Sequence, residues 1–383
     1  MTRVNGIRVL ALVTDAYGGT GGIAKYNRDF LESVALHPSV REVVVVPRVI
    51  ARELQPMPEN MTHCNEAAGS KARWLRTVAN QSSRKGAFDV VICGHVNLLP
   101  VAWLAARRLG ARLMFMCYGL EVWAPHKWPT RYMLHRTDTV VSISAITVKR
   151  LREWAVIAGD NIFLVPNAID LEAYSPGEGS EHLRRRLGLG RGPIMMTLGR
   201  MDASERAKGF DEVLEILPTL LEEFPTVTYC AAGEGSDRAR LEAKARKLGV
   251  ADHTVFTGYV PEEQKLDLYR LTDLFVMPSR LEGFGYVFLE ALACGIPVVA
   301  SSIDGSREAV RNGEWGLLAD PNNRAEIISA IRKGLTSPHV PDRSELQYFS
   351  KSRFRRRVWR ALERTINITE AKKTPAMPSK AVS

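Results

Sequence analysis

A glycine-rich segment at positions 278–301, PSRLEGFGYVFLEALACGIPVVAS, constrains the fold of this chain more than any other stretch. It predicts a strand, a loop containing Gly283 and Gly285, and then a helix of mostly apolar residues. Gly295 and Pro297 follow the apolar run where a helix is expected to end. Glycines let a loop approach a ligand closely, and a helix N-terminus attracts anions, phosphate above all. The segment therefore predicts an α/β unit with an anion-binding loop.

Two glutamates lie in this segment, eight positions apart. Glu282 is in the loop, where its carboxylate can accept hydrogen bonds from sugar hydroxyls. Glu290 lies two turns into the helix and interrupts an apolar stripe. Because the two carboxylates cannot reach the same atoms, they are expected to bind different parts of one extended ligand. The alternative is that the glycines only form a tight turn and that Glu290 lies on a solvated helix face.

Apolar strand runs, loops and helices alternate along the rest of the chain. Strands are expected at residues 7–13, 43–46, 89–93, 111–117, 140–144, 163–165, 194–198, 226–232, 274–279, 298–301 and 316–318. Such alternation predicts parallel sheets with helices on both faces. A chain of 383 residues is long enough for two such domains, each with its own core. The apolar runs are too short for a membrane span.

The segment EGFGYVFLEALACGIPVVAS resembles the E-x7-E signature of the retaining nucleotide-sugar glycosyltransferases, in particular glycosyltransferase family 4. The resemblance implies an α/β fold of the GT-B type, in which two Rossmann-like parallel-sheet domains face each other across a cleft. It also implies that Glu282 contacts the donor sugar and that Glu290 binds the ribose. The loop Gly283-Phe284-Gly285 is then expected to meet the donor phosphates.

Two cations lie earlier in the same half of the chain. Arg200 follows the strand at 194–198, and Lys208 precedes an amphipathic helix. In the family that the chain resembles, an arginine and a lysine at these places bind the donor diphosphate. Negative charge grows on the leaving phosphate as its bond to the sugar breaks, and fixed cations stabilise that charge. Glu282, Arg200 and Lys208 are therefore the predicted catalytic residues, with ordinary surface charge as the alternative for the two cations.

The resemblance assigns two more parts of the donor site. The nucleotide base is held near a turn that corresponds here to Tyr259. Gly21 and Gly22 follow the first strand and open a helix, and the resemblance implies that this loop faces the donor phosphates and the acceptor. Ligands of parallel sheets bind beyond the carboxyl ends of the strands, which agrees with these placements.

Polar residues at two further strand ends are candidate sugar or acceptor contacts, namely His95, Tyr118 and Glu121. Many family members have a histidine followed by glycine where this chain has Tyr118-Gly119. Tyr118, His95 or His126 could take the role of that histidine, or no residue could be needed. A histidine at a strand end is also often only a structural hydrogen-bonding group.

The predicted domain boundaries follow from these assignments. Residues 1–165 are expected to form an N-terminal acceptor-binding domain, 166–190 a linker, and 191–348 a C-terminal nucleotide-sugar-binding domain. Residues 349–370 are expected to form a helix that, by the resemblance, returns to the N-terminal domain. Residues 371–383, rich in Lys, Pro and Ser, are expected to be a disordered tail.

The chain carries a formal net charge of +10, and its basic residues concentrate in 351–364 and in the first half. A phosphate-bearing substrate, an anionic membrane surface or a plain solvated face would each suit this charge. It comes with no nucleic-acid-binding motif, so no nucleic-acid partner is predicted. Trp123, Trp128 and Tyr132 suit stacking on sugars or packing against lipid, or a loop pinned by its own aromatic residues.

The five cysteines form no CxxC pair, and the sequence shows no paired-aspartate motif, so neither a disulfide framework nor a metal site is predicted. The first residues lack the layout of a cleavable signal, which predicts a cytoplasmic protein. A peripheral position at the inner face of the membrane is compatible with the basic surface.

The predicted function is a retaining, metal-independent transfer of a hexose from a nucleotide diphosphate sugar to an acceptor hydroxyl. The donor is a substrate, and no further cofactor is expected. The acceptor is expected to be a sugar or a lipid-linked molecule in bacterial polysaccharide or glycolipid assembly. The alternatives are a nucleotide-sugar epimerase or hydrolase of the same fold, and a non-catalytic protein that binds nucleotides or membranes.

Overall fold

The computed structural model describes residues 6–204 and 206–373, with side chains described as far as residue 367. Within these residues the chain forms two compact units. The first unit comprises the residues up to Ile143, Thr147–Val165 and the helix from Ser352 onward. The second unit comprises Ser144–Ile146 and Pro166–Lys351. Each unit is built around one parallel sheet.

The strands of the first unit are β1 Ile7–Val13, β2 Val40–Pro47, β3 Met61–His63, β4 Val90–Cys93, β5 Arg112–Cys117, β6 Thr139–Ser142 and β7 Ile162–Leu164. They form a seven-stranded sheet in the order β3-β2-β1-β4-β5-β6-β7, and every neighbouring pair is parallel. The strand order reverses between β1 and β4, which makes the carboxyl ends of these two strands the expected place for a ligand.

The helices between these strands are α1 Gly21–Ala35, α2 Lys71–Gln81, α3 Leu99–Leu109, α4 Leu120–Trp123, α5 Trp128–His135 and α6 Ala145–Arg152. Their apolar faces pack on the sheet. Trp74 of α2, Leu99 of α3 and Leu134 of α5 are buried in one cluster with Phe115 of β5. Helices on the sheet explain why the strands are almost continuously apolar, since their residues are buried on both faces.

The strands of the second unit are β8 Ile194–Leu198, β9 Thr228–Ala232, β10 Thr254–Phe256, β11 Leu274–Met277, β12 Val298–Ser301 and β13 Leu317–Ala319. They form a six-stranded sheet in the order β10-β9-β8-β11-β12-β13, again with parallel neighbours. The order reverses between β8 and β11. A ligand of this unit is therefore expected beyond the carboxyl ends of those two strands.

The helices of the second unit are α7 Glu181–Leu187, α8 Phe210–Glu223, α9 Arg238–Lys247, α10 Glu262–Arg270, α11 Tyr286–Ala293, α12 Ser306–Ala309, α13 Arg324–Thr336 and α14 Arg343–Leu346. Its core joins Val213 and Leu217 of α8 to Ile327 and Ile331 of α13. Short 3-10 turns occur at Asn65–Ala67, Val96–Leu98, Gly159–Asn161, Ala251–His253, Arg311–Gly313 and Gln347–Phe349.

A long last helix, α15 Lys351–Lys373, packs within the first unit. Phe354 is buried with its ring 5.5 Å from that of Tyr26. The indole N–H of Trp359 donates to the backbone oxygen of Ser33 at 2.7 Å. The predicted helix over 349–370 is thus present and extends to Lys373, so residues 371–373 of the predicted tail are helical. Residues 374–383 of that tail lie outside the described residues.

Several elements differ from the sequence expectation. The predicted linker contains α7, the aromatic stretch after β5 forms α4 and α5 rather than only a loop, and β3 and β10 were not expected. Local capping explains α7: the Ser180 hydroxyl accepts from the Leu183 backbone N–H at 3.2 Å, and Gly188 ends the helix in the left-handed conformation with φ of 67°. In the part of the chain that the structure describes, helices long and apolar enough to cross a bilayer are absent.

Candidate functional site

The segment that constrains the fold most is a strand, a loop and a helix, as predicted. The strand β11 ends at Met277, and α11 begins at Tyr286 directly after Gly285. Gly285 has φ of 88°, and a Cβ atom there would lie 2.5 Å from the ring of Phe288. Only glycine therefore fits without strain at the entry to this helix.

Two adjacent residues that follow β12, Asp304 and Gly305, hold the loop around Glu282 by hydrogen bonds. The backbone N–H of Glu282 donates to Asp304 Oδ2 at 2.9 Å, and the N–H of Gly305 donates to the backbone oxygen of Glu282 at 2.8 Å. A Cβ atom on Gly305 would lie 2.0 Å from the backbone oxygen of Gly283. This close approach fixes where the Glu282 side chain leaves the backbone.

Asp304 is a fully buried carboxylate that the sequence analysis missed, with 0% exposure. It accepts from the hydroxyl of Ser279 at 2.7 Å and from the backbone N–H and hydroxyl of Ser306 at 3.0 and 2.6 Å, in addition to the Glu282 N–H. Burial raises the pKa of Asp304, and the hydrogen bonds it accepts oppose that rise. The available signal was the polar run SSIDGS directly after a buried strand.

Lys208 and Glu282 meet at the point where the strand order of the second sheet reverses. Lys208 precedes α8, Glu282 follows β11, and Lys208 Nζ lies 2.8 Å from Glu282 Oε2. Arg200 lies two residues after the end of β8 and lines one small pocket together with Lys208. The three predicted catalytic residues are thus neighbours, at the edge of the sheet where parallel α/β units bind ligands.

An ionic network joins two of the residues that line this pocket, Asp211 and Asp237, to α9. Arg240 Nη2 of α9 lies 2.6 Å from both Asp211 Oδ2 and Asp237 Oδ2, and Lys244 also pairs with Asp211. Burial by itself would raise the pKa of Asp211, but hydrogen bonds from Arg240 and Lys244 lower it to about 2. The network ties the start of α8, which follows Lys208, to α9.

Acid is expected to weaken the second unit through Asp211. Its folded-state pKa of about 2 is below the ordinary value of 3.8, so its pairing stabilises the fold fully above the ordinary value and is lost as pH falls towards 2. Asp211→Asn should lower the free energy of unfolding by about 1–2 kcal/mol at pH 7, with a smaller difference at pH 3. Urea unfolding at pH 7, 4 and 3 measures this, with exposed Asp252→Asn as the control. An equal difference at all three pH values would contradict it.

Glu290 is buried, with 1% exposure, so the alternative of a solvated helix face is wrong. The hydroxyl of Tyr269 donates to Glu290 Oε2 at 3.0 Å. Burial alone would lower the pKa of Lys265, but the charges of Glu290 and Glu262 raise it above its ordinary value. A carboxylate is an acceptor of hydrogen bonds, which is the property that sugar hydroxyls require of a partner.

Tyr259 lies in a separate pocket of the second unit and is 60% exposed. Thr257, Val260 and Gln264 line this pocket with it, and Arg186 of α7 completes one wall. Arg186 Nη2 donates to Gln264 Oε1 at 2.6 Å. The helix α7, which was expected to be linker, therefore helps to form the pocket in which the nucleotide base is predicted.

Phe284 takes part in the loop surface through its backbone. Its side chain is buried, with the ring 5.4 Å from that of Phe349. A ligand in the loop can therefore meet the backbone of Gly283, Phe284 and Gly285 but not the aromatic ring. This agrees with an expected role for the loop amides.

In the first unit, Gly21 and Gly22 form the exposed start of α1, after the loop of residues 14–20 that follows β1. Gly21 has φ of 85°, and a Cβ atom there would meet nothing within 4 Å. The first turn of α1 contains no acidic residue. This helix end can therefore accept an anion, and the open space at Gly21 leaves room for one.

Tyr118 turns its hydroxyl into the protein rather than towards the sheet edge. The side chain is buried, and its hydroxyl lies 2.6 Å from Asn27 Oδ1 and 2.9 Å from the backbone oxygen of Gly94. The backbone N–H of Tyr118 donates to Glu121, whose pKa is raised by burial and lowered in part by the hydrogen bonds it accepts. The two residues thus stabilise the strand end, and Tyr118 is poorly placed to replace the family histidine.

His95 is the better placed of the candidate contacts in the first unit. It follows β4, beside the reversal of strand order, and its Nδ1 accepts from the backbone N–H of Asn97 at 3.1 Å. Burial lowers the pKa of His95, and the charge of His126 lowers it further. The neutral ring then carries its proton on Nε2, which can donate to a ligand.

Among residues 6–204 and 206–373, groups of three His, Cys, Asp or Glu side chains that could hold a metal ion were not found. The five cysteines are free and buried. The charged groups of the candidate site are arginine, lysine and glutamate side chains.

Comparison with known proteins identifies the family. The Glycosyltransferase Family 4 profile matches residues 20–173, and the Glycosyl transferases group 1 profile matches residues 180–353. The chain is 32% identical to the GDP-mannose-dependent alpha-(1-6)-phosphatidylinositol monomannoside mannosyltransferase of Mycolicibacterium smegmatis, over 68% of this chain and 72% of that protein. It is also 32% identical to the D-inositol 3-phosphate glycosyltransferase of Thermomonospora curvata, over 85% of each chain.

Solved structures agree on the fold. HepE of Anabaena in complex with UDP-glucose superposes with a TM-score of 0.70 at 18% identity, over 93% of this chain and 99% of that chain. The lipopolysaccharide outer core galactosyltransferase WaaB gives a TM-score of 0.70 at 15% identity, over 93% and 99%. With its two parallel-sheet units and its sequence relatives, the chain belongs to the family 4 glycosyltransferases and has the GT-B fold.

Proposed function

We propose that this glycosyltransferase moves a hexose from a nucleotide diphosphate sugar to an acceptor hydroxyl, with retention of configuration and without a metal ion. The observation that carries the proposal is the 2.8 Å contact between Lys208 and Glu282, beside Arg200 and at the reversal of strand order. A lysine and an arginine can neutralise a diphosphate there, while the adjacent carboxylate accepts from the sugar hydroxyls.

The reaction breaks the bond between the anomeric carbon and the phosphate oxygen, and forms a bond from that carbon to the acceptor oxygen. The acceptor proton passes to the departing phosphate oxygen. Both events take place on one face of the sugar, which retains the configuration. Arg200 and Lys208 would stabilise the negative charge that develops on the phosphate, and the N-terminus of α11 would add its backbone N–H groups. A side chain acting as general base is not needed.

Glu290 and Tyr259 would hold the nucleotide. The buried carboxylate of Glu290, fixed by Tyr269, suits the ribose hydroxyls. The pocket lined by Tyr259, Gln264 and Arg186 suits a base, because it offers an aromatic face and polar groups. A relative named for GDP-mannose and a fold neighbour bound to UDP-glucose support a nucleotide sugar as donor.

The acceptor is proposed to be a sugar or lipid-linked molecule, which the first unit would bind near His95 and the Gly21 helix start, with Glu121 supporting that edge of the sheet. One relative is named for a phosphatidylinositol monomannoside acceptor and another for D-inositol 3-phosphate. The proposed setting is bacterial polysaccharide or glycolipid assembly, in the cytoplasm at the inner face of the membrane.

The first test is a panel of UDP-, GDP- and ADP-sugars, incubated with the protein in excess chelator. Release of one nucleotide, with the anomeric configuration of the product followed by NMR, is the expected result. Glu282→Ala should abolish the release, whereas Glu222→Ala, on the exposed side of α8, should not. Loss of activity with chelator, an inverted product, or an isomerised sugar without transfer would each overturn part of the proposal.

Glu290→Gln is expected to raise the KM for the donor by about 10- to 150-fold with a smaller change in kcat, because a charged hydrogen bond contributes roughly 1.5–3 kcal/mol. The amide oxygen of the introduced glutamine would still accept from Tyr269, so the core should stay intact. Initial rates at varied donor concentration measure the split between the two constants. A loss in kcat at unchanged KM would show that Glu290 does not act in donor binding.

A further inference from the structure

Two helices of the first unit expose aromatic and basic side chains that the proposed reaction does not use. Trp128 of α5 is 74% exposed, and Leu104 of α3 is 63% exposed. Trp103, Arg107, Tyr132 and Arg136 lie on or directly beside the same two helices, and we call these six residues the α3–α5 surface. The two helices are in contact with each other, and large exposed apolar side chains on adjacent helices indicate a contact surface rather than isolated exposed residues.

The aromatic residues of this surface are held in place by one another. The rings of Trp128 and Tyr132 stack with centroids 5.8 Å apart, and the ring of Trp103 meets that of Tyr132 at 6.2 Å. Trp103 in turn packs against the buried core of the unit. The exposed rings are therefore presented on a rigid base.

An arginine lies one helical turn beyond an aromatic residue in each of the two segments. The guanidinium of Arg107 lies 4.9 Å from the ring centre of Trp103, and that of Arg136 lies 5.1 Å from the ring centre of Tyr132. These cation–π contacts keep positive charge beside the apolar rings. Each segment thus presents both kinds of group.

Acidic residues are almost absent from this part of the chain. Between Asp89 and Asp138 the sequence contains one acidic residue, Glu121, whose carboxylate accepts from the Tyr118 backbone N–H. The basic residues in the same range are Arg107, Arg108, Lys127, Arg131 and Arg136, together with Arg112, which pairs with Asp138. The partner of this surface must therefore tolerate or prefer a strong local positive charge.

We propose that the α3–α5 surface docks the first unit on an anionic lipid bilayer. This inference rests on the proposed transfer to a lipid-linked acceptor, for which it supplies the place of membrane contact. Trp and Tyr side chains favour the headgroup region, where an apolar ring and a polar edge are both satisfied. Arginines beside them are attracted to anionic headgroups. A symmetric contact with a second copy is disfavoured, because it would place arginines against arginines.

The test uses sedimentation of the full-length protein with vesicles of phosphatidylcholine, alone or with about 30 mol% phosphatidylglycerol to supply a negative surface potential. The protein should bind the anionic vesicles and not the neutral ones. Arg107→Ala with Arg136→Ala should weaken binding about 30-fold, at about fivefold for each arginine. Trp128→Ala should weaken it about tenfold, and Trp128→Phe by less.

The matched control is Arg246→Ala with Lys247→Ala, two cations of α9 in the second unit, which should bind as the unchanged protein does. Donor hydrolysis without vesicles should be the same in all these variants, so that a failure of docking is separated from a failure of the proposed chemistry. Equal binding by every variant, or equal binding to neutral vesicles, would overturn the proposal. Self-association lost in the arginine variants, without vesicle binding, would show that a second copy is the partner and would also overturn it.

Discussion

Replacing Lys208 with methionine is expected to lower kcat for sugar transfer by about 10²–10³-fold. Methionine keeps most of the aliphatic length of lysine but removes the ammonium group that lies 2.8 Å from Glu282. The charge that develops on the leaving phosphate would then lose one of its two fixed cations. Lys247→Met, on α9, is the control for the loss of a positive charge elsewhere in the second unit.

A double-mutant cycle separates two ways in which Lys208 could act. If Lys208 works only by holding the Glu282 carboxylate, then Lys208→Met should cost little more in a Glu282→Gln background. If it stabilises the phosphate directly, most of the loss should remain in that background. Retention of activity within about threefold in the single variant would remove Lys208 from the catalytic residues altogether. Initial rates with saturating donor give all four corners of the cycle.

The strand, loop and helix around Glu282 could be predicted because their signals are local. Gly285, Gly295 and Pro297 are within a few residues of the helix ends that they determine, and the apolar run between them favours a single interpretation. The parallel sheets were predictable for the same reason, since buried strands and amphipathic helices each carry a short-range pattern. The family assignment rested on the same segment and is confirmed by the comparisons.

The support of the loop could not be predicted, because it comes from distant parts of the chain. Asp304 lies 22 residues after Glu282, and only the fold brings its carboxylate to the Glu282 N–H. Tyr269 lies 21 residues before Glu290 and fixes it in the core. Nothing in the spacing of these residues marks them as partners. Their contacts follow from the packing of β12 and α10 beside α11.

For Tyr118, a local sequence pattern suggested a role in ligand binding that the packing of its side chain makes unfavourable. Its place at the end of β5 resembles that of the family histidine, but the larger phenol side chain turns inward and reaches Asn27 and Gly94. The position of a residue at a strand end predicts where its backbone lies but not the direction of its side chain. The helix α7 was missed for a different reason, because a Gly- and Ser-rich approach masked a short helix with good caps at Ser180 and Gly188.

Asp304→Asn is expected to lower kcat by about 10²-fold, although its carboxylate oxygens are already engaged by the Ser279 and Ser306 hydroxyls and the Glu282 N–H. Asparagine keeps the shape but supplies one oxygen in place of two, so its amide N–H groups would face donors such as the Ser279 hydroxyl or the Glu282 N–H. The loop should shift to relieve this conflict, and a shift of about 1 Å at a positioning element can cost about 10²-fold in rate.

A destabilised but correctly arranged protein would give a different pattern. Tyr229→Phe removes a buried hydrogen bond to Thr197 at 2.9 Å without touching the loop, and should cost about 1 kcal/mol of unfolding free energy with little change in kcat. Asp304→Asn should cost a similar or larger free energy and also the rate. In a Glu282→Gln background the Asp304 change should cost little further activity, because the carboxylate that it positions is already gone. A full additional loss in that background would mean that Asp304 acts on the reaction by a route other than Glu282.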